Sequence, residues 1–220
     1  MAVIHRTTMI PSKEELLAAW LPSRPWFRGG TPGLVRAGGY RLDDRAGAVG
    51  IEFMLVTDVS GPEPTTYQVP LAYRDAPLDG AQDALVGTSE HGVLGLRQVY
   101  DGVHDPVLVE RLYALARRAA EPQAQRESNT PDPTVTADPA GAALPEAAFG
   151  TPPLAVTEGP GYSEVRVPDG GPVLRVHRML RPADAPEASD AGAVLGRITA
   201  GWTLPGGAAV RGTLATVLRP

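Results

Sequence analysis

The chain has 220 residues, 20 basic against 25 acidic side chains, a net charge of −5, 43% hydrophobic content and no cysteine. Its length and apolar content allow one large domain or two small ones with a buried core, while the acidic balance argues against nucleic acid as partner, because binding phosphates needs a basic surface. Zero cysteine excludes disulfides, thiolate nucleophiles and cysteine metal sites. Lys13 is the only lysine, and the abundance of Arg, Ala, Gly and Pro reads as the genome composition of a GC-rich bacterium. Residues 1–11 lack the apolar core and cleavage pattern of a signal peptide. No apolar run is long enough to span a bilayer. A cytoplasmic protein without a membrane partner is expected.

Ser12-Lys13-Glu14-Glu15 is a capping-box pattern followed by Leu16, Leu17, Ala19 and Trp20, and Pro22 stops the helix predicted over 12–21. A loop with two large rings, Trp26 and Phe27, comes next. Strands are expected at 39–43, 49–59 and 65–73, the last two as an antiparallel hairpin. Pro70 places the last of these at an edge or a bulge, and residues 92–99 can add another strand. Asp105-Pro106 then caps a helix over 107–119 whose buried stripe is Leu108, Leu112 and Leu115.

Residues 120–153 are rich in Pro, Ala, Glu, Asp and Thr and read as an exposed linker, with room for one helical turn at 142–149. A β-rich unit follows: strands at 163–167 and 173–180 around a turn at Asp169-Gly170-Gly171, a loop over 183–191, then a hairpin of 194–204 and 208–218. The expected class is α+β, an antiparallel sheet with a few flanking helices followed by a hairpin-rich module. Its units are 1–120, a linker at 121–153, and 154–220.

Proton-active groups are densest between Gly87 and Asp105, where Glu90, His91, Tyr100, Asp101 and His104 share one glycine-punctuated segment. Imidazole with carboxylate suits a transition metal or acid–base chemistry. The spacing fits no established ligand motif, however, and Asp101-Gly102 and Asp105 have turn and capping roles. Neither a catalytic residue, a metal nor a cofactor is therefore expected, and these five residues stand as ligand or interaction candidates. Trp26 and Phe27, beside Arg24 and Arg28, suit a sugar face or a partner's groove, or else the core beneath the sheet. Gly159-Pro160-Gly161 without a following lysine reads as a plain loop, and His177 reads as one position of an exposed strand face.

The run Trp20-Leu21-Pro22-Ser23-Arg24-Pro25-Trp26-Phe27, the strand before Asp58, Tyr67-Gln68-Val69-Pro70, and Val99-Tyr100-Asp101 before Asp105-Pro106 resemble the N-terminal cap domain of actinobacterial maltokinases over residues 10–120. The second half looks like the β-rich N-lobe that follows the cap, through Ser128-Asn129-Thr130, the run 173–182 and Leu214-Ala215. That resemblance implies Arg175 at the position of the phosphate-orienting lysine, and an end at Pro220 where the catalytic lobe would begin. It implies a non-catalytic accessory or regulatory protein. The partner would be an enzyme of trehalose, maltose or glycogen metabolism, and Arg175 joins the interaction candidates. The alternative is a binder of a sugar, sugar phosphate or nucleotide. The oligomeric state is not fixed by the sequence.

Overall fold

The computed structural model describes residues 8–139, 144–146, 149–150, 153–167, 170–183 and 194–220. All but Ala183 of the expected loop at 183–191, half of the helical turn at 142–149 and Asp169 of the turn at 169–171 lie outside them. In chain order the first sheet uses β1 (Met9–Ile10), β2 (Leu34–Leu42), β3 (Gly50–Asp58), β4 (Thr65–Arg74), β5 (Leu85–His91), β6 (Gly95–Asp101) and β7 (Gln123–Ala124). Their spatial order is β1-β5-β6-β4-β3-β2-β7. The second sheet is built from β8 (Thr136–Pro139), β9 (Val156–Gly159), β10 (Tyr162–Arg166), β11 (Val173–His177), β12 (Val194–Thr203) and β13 (Ala209–Leu218). Its order is β8-β12-β13-β11-β10-β9, and all pairs in both sheets are antiparallel. Two α-helices, α1 (Lys13–Trp20) and α2 (Pro106–Ala116), complete the described residues, so the fold is mainly β and the α+β label holds only coarsely.

Both helices begin where local chemistry says they should. Ser12 Oγ accepts from the Glu15 N–H and the Glu15 carboxylate accepts from the Ser12 N–H, closing the capping box. Asp105 accepts from the N–H groups of Val107 and Leu108, and Pro106 occupies the first helical position. Strand alternation then sorts the layers. On β3, Ile51, Phe53 and Leu55 face a core shared with α2 and with Ile198, Ala200 and Trp202 of the second sheet. Met54 and Val56 face the opposite way, against Leu17 and Trp20 of α1 and against Trp26. The first sheet is thus the middle layer of the molecule.

Two expectations, on Pro70 and on the linker, need correction, and two glycine-bearing stretches prove to be hairpins. Pro70 lies in a central strand, not at an edge, and the register explains how it is tolerated. One flank of β4 is divided: Leu71–Arg74 pair with β6, while Thr66 and Gln68 bond to Arg178 and Leu180 from the second half. Gln68 N–H points to that flank, so by period two the missing Pro70 donor falls in the gap between the two partners. The glycine-rich stretch at 87–95 is a β5–β6 hairpin, with Glu90 and His91 inside a strand that the run Leu-Val-Gly-Thr-Ser-Glu-His conceals. Gly159-Pro160-Gly161, read as a plain loop, is the turn of a β9–β10 hairpin. Finally, the described part of the expected linker is not simply exposed. β7 pairs with β2, β8 pairs with β12, and Val135, Leu144 and Phe149 enter the main core, burying apolar groups that a composition count averages away.

Candidate functional site

Asp101 ends β6, and the 3-10 turn Gly102–His104 comes directly after it. Gly102 lets Leu108 of α2 pack close there, since a Cβ would press on the Leu108 side chain and force it to shift. Arg178 stands just past β11, in the extended segment that flanks β4. Its Nη2 donates to both Asp101 oxygens, at 2.8 and 2.7 Å, with the two side chains 0% and 2% exposed. Nε donates to Ser163 Oγ at 2.7 Å, and Ser163 Oγ donates to Glu158 at 2.6 Å. The guanidinium carbon lies 4.9 Å from the Trp26 ring centroid, a cation–π contact inside the protein. The Gln68 amide donates to the carbonyls of His177 and Leu214. These buried polar groups lock the two sheets together in one geometry, because a misplaced partner would leave a charge or amide unsatisfied.

Three of the eight residues singled out by sequence meet here: Trp26, Asp101 and His104. Trp26 is in the core, 5.9 Å edge-on from Trp20 and 6.0 Å from Tyr67. Phe27 is half-buried against Tyr67, at 5.2 Å. Tyr100 is buried, and its hydroxyl accepts from the Leu78 N–H. His91 Nδ1 accepts from the N–H groups of Val93 and Leu94 and so shapes the β5–β6 turn. Glu90 is exposed on β5. Arg175 pairs with Glu164 at 2.8 Å and stacks on Tyr162 at 4.4 Å. Arg178, Ser163 and Glu158 were missed. A strand reading that runs to residue 180 puts Arg178 on one of two alternating faces, but β11 stops at His177 and the chain turns Arg178 inward.

A second buried charge sits on the same face of the first sheet, two strands away, since Glu52 pairs with Leu71 and Leu71 with Asp101. Glu52 accepts from Lys13 at 2.5 Å, from the Tyr73 hydroxyl at 2.7 Å and from Gln125 at 2.7 Å. Burial works against its ionisation, but the Lys13 charge and the donors from Lys13, Tyr73 and Gln125 outweigh it and hold the carboxyl below its ordinary value. Burial, with the neighbouring Glu52 charge, pushes the Tyr73 phenol well up. Because the folded Glu52 value is depressed, its stabilisation is present above the unfolded carboxylate range and is lost as pH falls through the folded value. Lys13→Met removes the nearer of two cations at Glu52, leaving Arg36 at 3.6 Å, and shifts the balance towards burial. Urea denaturation should show the variant about 2 kcal/mol less stable at pH 7, with the deficit shrinking towards pH 4 as Glu52 takes a proton. A deficit that stays constant with pH contradicts this assignment.

The open surface of this region is apolar. Ile10 of β1 pairs with Glu90, and Glu90 pairs with Leu96 of β6, so the three form one row on one face of the sheet. Leu96, Gln98 and Tyr100 share that face, which is core at Tyr100 and open at Leu96. Ile10 is 70% exposed, Leu96 47%, and Val93 and Leu94 of the adjoining turn 60% and 45%. An open cleft of about 700 Å³ lies elsewhere, between the end of α2 and β8, and includes Arg118, Glu121 and Asp138. No helix among the described residues is long and apolar enough to cross a membrane.

No curated protein matches the chain. Residues 20–105 match the family model described as the maltokinase N-terminal cap domain.

Proposed function

With a maltokinase N-terminal cap domain over residues 20–105 as premise, we propose that this chain is a non-catalytic docking protein that binds an enzyme of α-glucan or trehalose metabolism. The observation that carries the docking part is the exposed row Ile10–Glu90–Leu96 with Val93 and Leu94 beside it. Contiguous exposed apolar side chains on a sheet face cost solubility and mark contact surfaces. A carboxylate between two aliphatic residues favours a partner that offers an apolar surface with a basic side chain. Self-association about a two-fold axis through this row would oppose Glu90 to its own copy, so a different protein fits better.

The proton-active residues support a non-catalytic reading because most of them have structural work. Asp101 neutralises Arg178, Asp105 caps α2 and accepts from Nε and Nη2 of Arg74, and Tyr100 ties down Leu78. The test is biolayer interferometry of the purified protein against the α-glucan and trehalose enzymes of its own cell. One of them should bind, and Leu96→Arg should weaken binding at least tenfold with the fold intact by circular dichroism. Failure of every enzyme to bind, or unchanged binding by Leu96→Arg and Ile10→Arg, overturns the reading. So does ATP-dependent phosphorylation that tracks Arg175. The second reading, a small-ligand binder, draws on the cleft at Arg118 and Asp138, and a thermal-shift panel of sugars, sugar phosphates and nucleotides tests it.

A further inference from the structure

Apart from the docking surface, Asp101, His104 and Glu158 form a cluster of their own. Asp101 and His104 bracket a 3-10 turn, and with three residues per turn, positions i and i+3 lie above one another. Both side chains therefore project to the same side, towards Glu158 on the edge strand β9 of the other sheet. One ligand atom from each, an imidazole nitrogen and two carboxylate oxygens, lie within 4.8 Å of one another. The His104 imidazole nevertheless makes no hydrogen bond or ion pair with any described residue, although two carboxylates stand beside it. An imidazole in that setting would ordinarily donate to one of them. The three ligand atoms are close enough together for one small ion to reach all of them.

We propose that Asp101, His104 and Glu158 form a binding site for a first-row divalent cation, zinc foremost, that clasps the first sheet to the second. One nitrogen and two carboxylate oxygens suit zinc and its neighbours. Each carboxylate already has the outer partner that metal ligands usually have, Arg178 on Asp101 and Ser163 on Glu158, and these bonds fix its orientation. An ionised carboxylate has about four lone-pair directions, so the bonds from Arg178 leave Asp101 able to coordinate. Arg178 offsets one of the two carboxylate charges, and the site keeps a net negative charge to attract the cation. Half-exposed His104 and exposed Glu158 leave an entry path.

The experiment titrates metal-free full-length protein with Zn2+ by calorimetry and with Co2+ by visible absorption. Wild type should bind one equivalent, show d–d bands of a low-coordinate nitrogen–oxygen site with Co2+, and gain several degrees in Tm with Zn2+. His104→Ala and Glu158→Gln should each weaken Zn2+ at least tenfold while keeping the metal-free Tm, and His91→Ala, remote from the site, should bind as wild type. Asp101 is left intact because its loss would unbalance Arg178. Absence of stoichiometric binding by wild type overturns the proposal. So does binding that His104→Ala and Glu158→Gln leave unchanged, or that His91→Ala abolishes.

Discussion

Replacing Arg178 by methionine should lower the unfolding free energy by about 3–5 kcal/mol, measured by urea denaturation at neutral pH, because it strands a charge in the interior. Asp101 is 2% exposed and takes both of its short bonds from a single Arg178 nitrogen. Without that cation, the carboxylate must stay ionised in a poor solvent or take up a proton, and either course costs stability. Ser163 and the face of Trp26 lose a partner in the same step. Lysine is a poor substitute, since one ammonium cannot reach Ser163 and both Asp101 oxygens with a fixed fork. Removing both charges, as Asp101→Leu with Arg178→Met, should restore a large part of the loss, because apolar packing often replaces a buried pair at little cost. The loss should also vary little with salt, as a water-excluded pair is weakly screened. A single variant within about 1 kcal/mol of wild type would show that the pair is not holding the sheets together.

Gly39→Ala is the second large effect, about 3 kcal/mol or more, from strain and crowding together. Gly39 lies next to the β-bulge that shifts the β2–β3 register between Arg36 and Gly38, and its φ of +142° is one that residues with a side chain rarely adopt. An added Cβ would also land on the Phe53 carbonyl oxygen across the ladder and 2.6 Å from the Gln125 amide nitrogen. That amide is one of the donors that keep Glu52 ionised, so the substitution disturbs the buried charge as well as the strand. Gly30→Ala is the control, since nothing lies within 4 Å of a Cβ there. Equal stability of the two variants would mean that β2 relaxes without cost.

Legibility in the sequence tracks how local each signal is. The Ser12 and Asp105 caps lie within three residues of the groups they satisfy, and both are formed as read. The hairpin of β12 and β13 announces itself through Pro205-Gly206-Gly207 between two apolar runs. β5 escaped because Gly87 interrupts its alternation and its outer face is exposed, so only the neighbouring strands reveal it. Trp26, read as either a binding ring or a core ring, is in the core, where a large aromatic removes the most apolar surface from water. Of the candidate residues, Asp101 and His104 were visible by type and by their density in one segment, though not by spacing. Their companions Glu158, Ser163 and Arg178 are more than 50 positions away, and no local pattern could have joined them.

The divided flank of β4 also bears on biosynthesis. Gln68 finds its acceptors 109 and 146 positions downstream, and Asp101 meets its counter-ion 77 positions downstream. A nascent chain leaving the ribosome from its N-terminus must therefore carry an unpaired acid until residue 178 has emerged, and an open amide until residue 214 has. Excising the matched stretch 20–105 would cut through this joint and leave Gln68 and Asp101 without the partners that residues 177–214 supply.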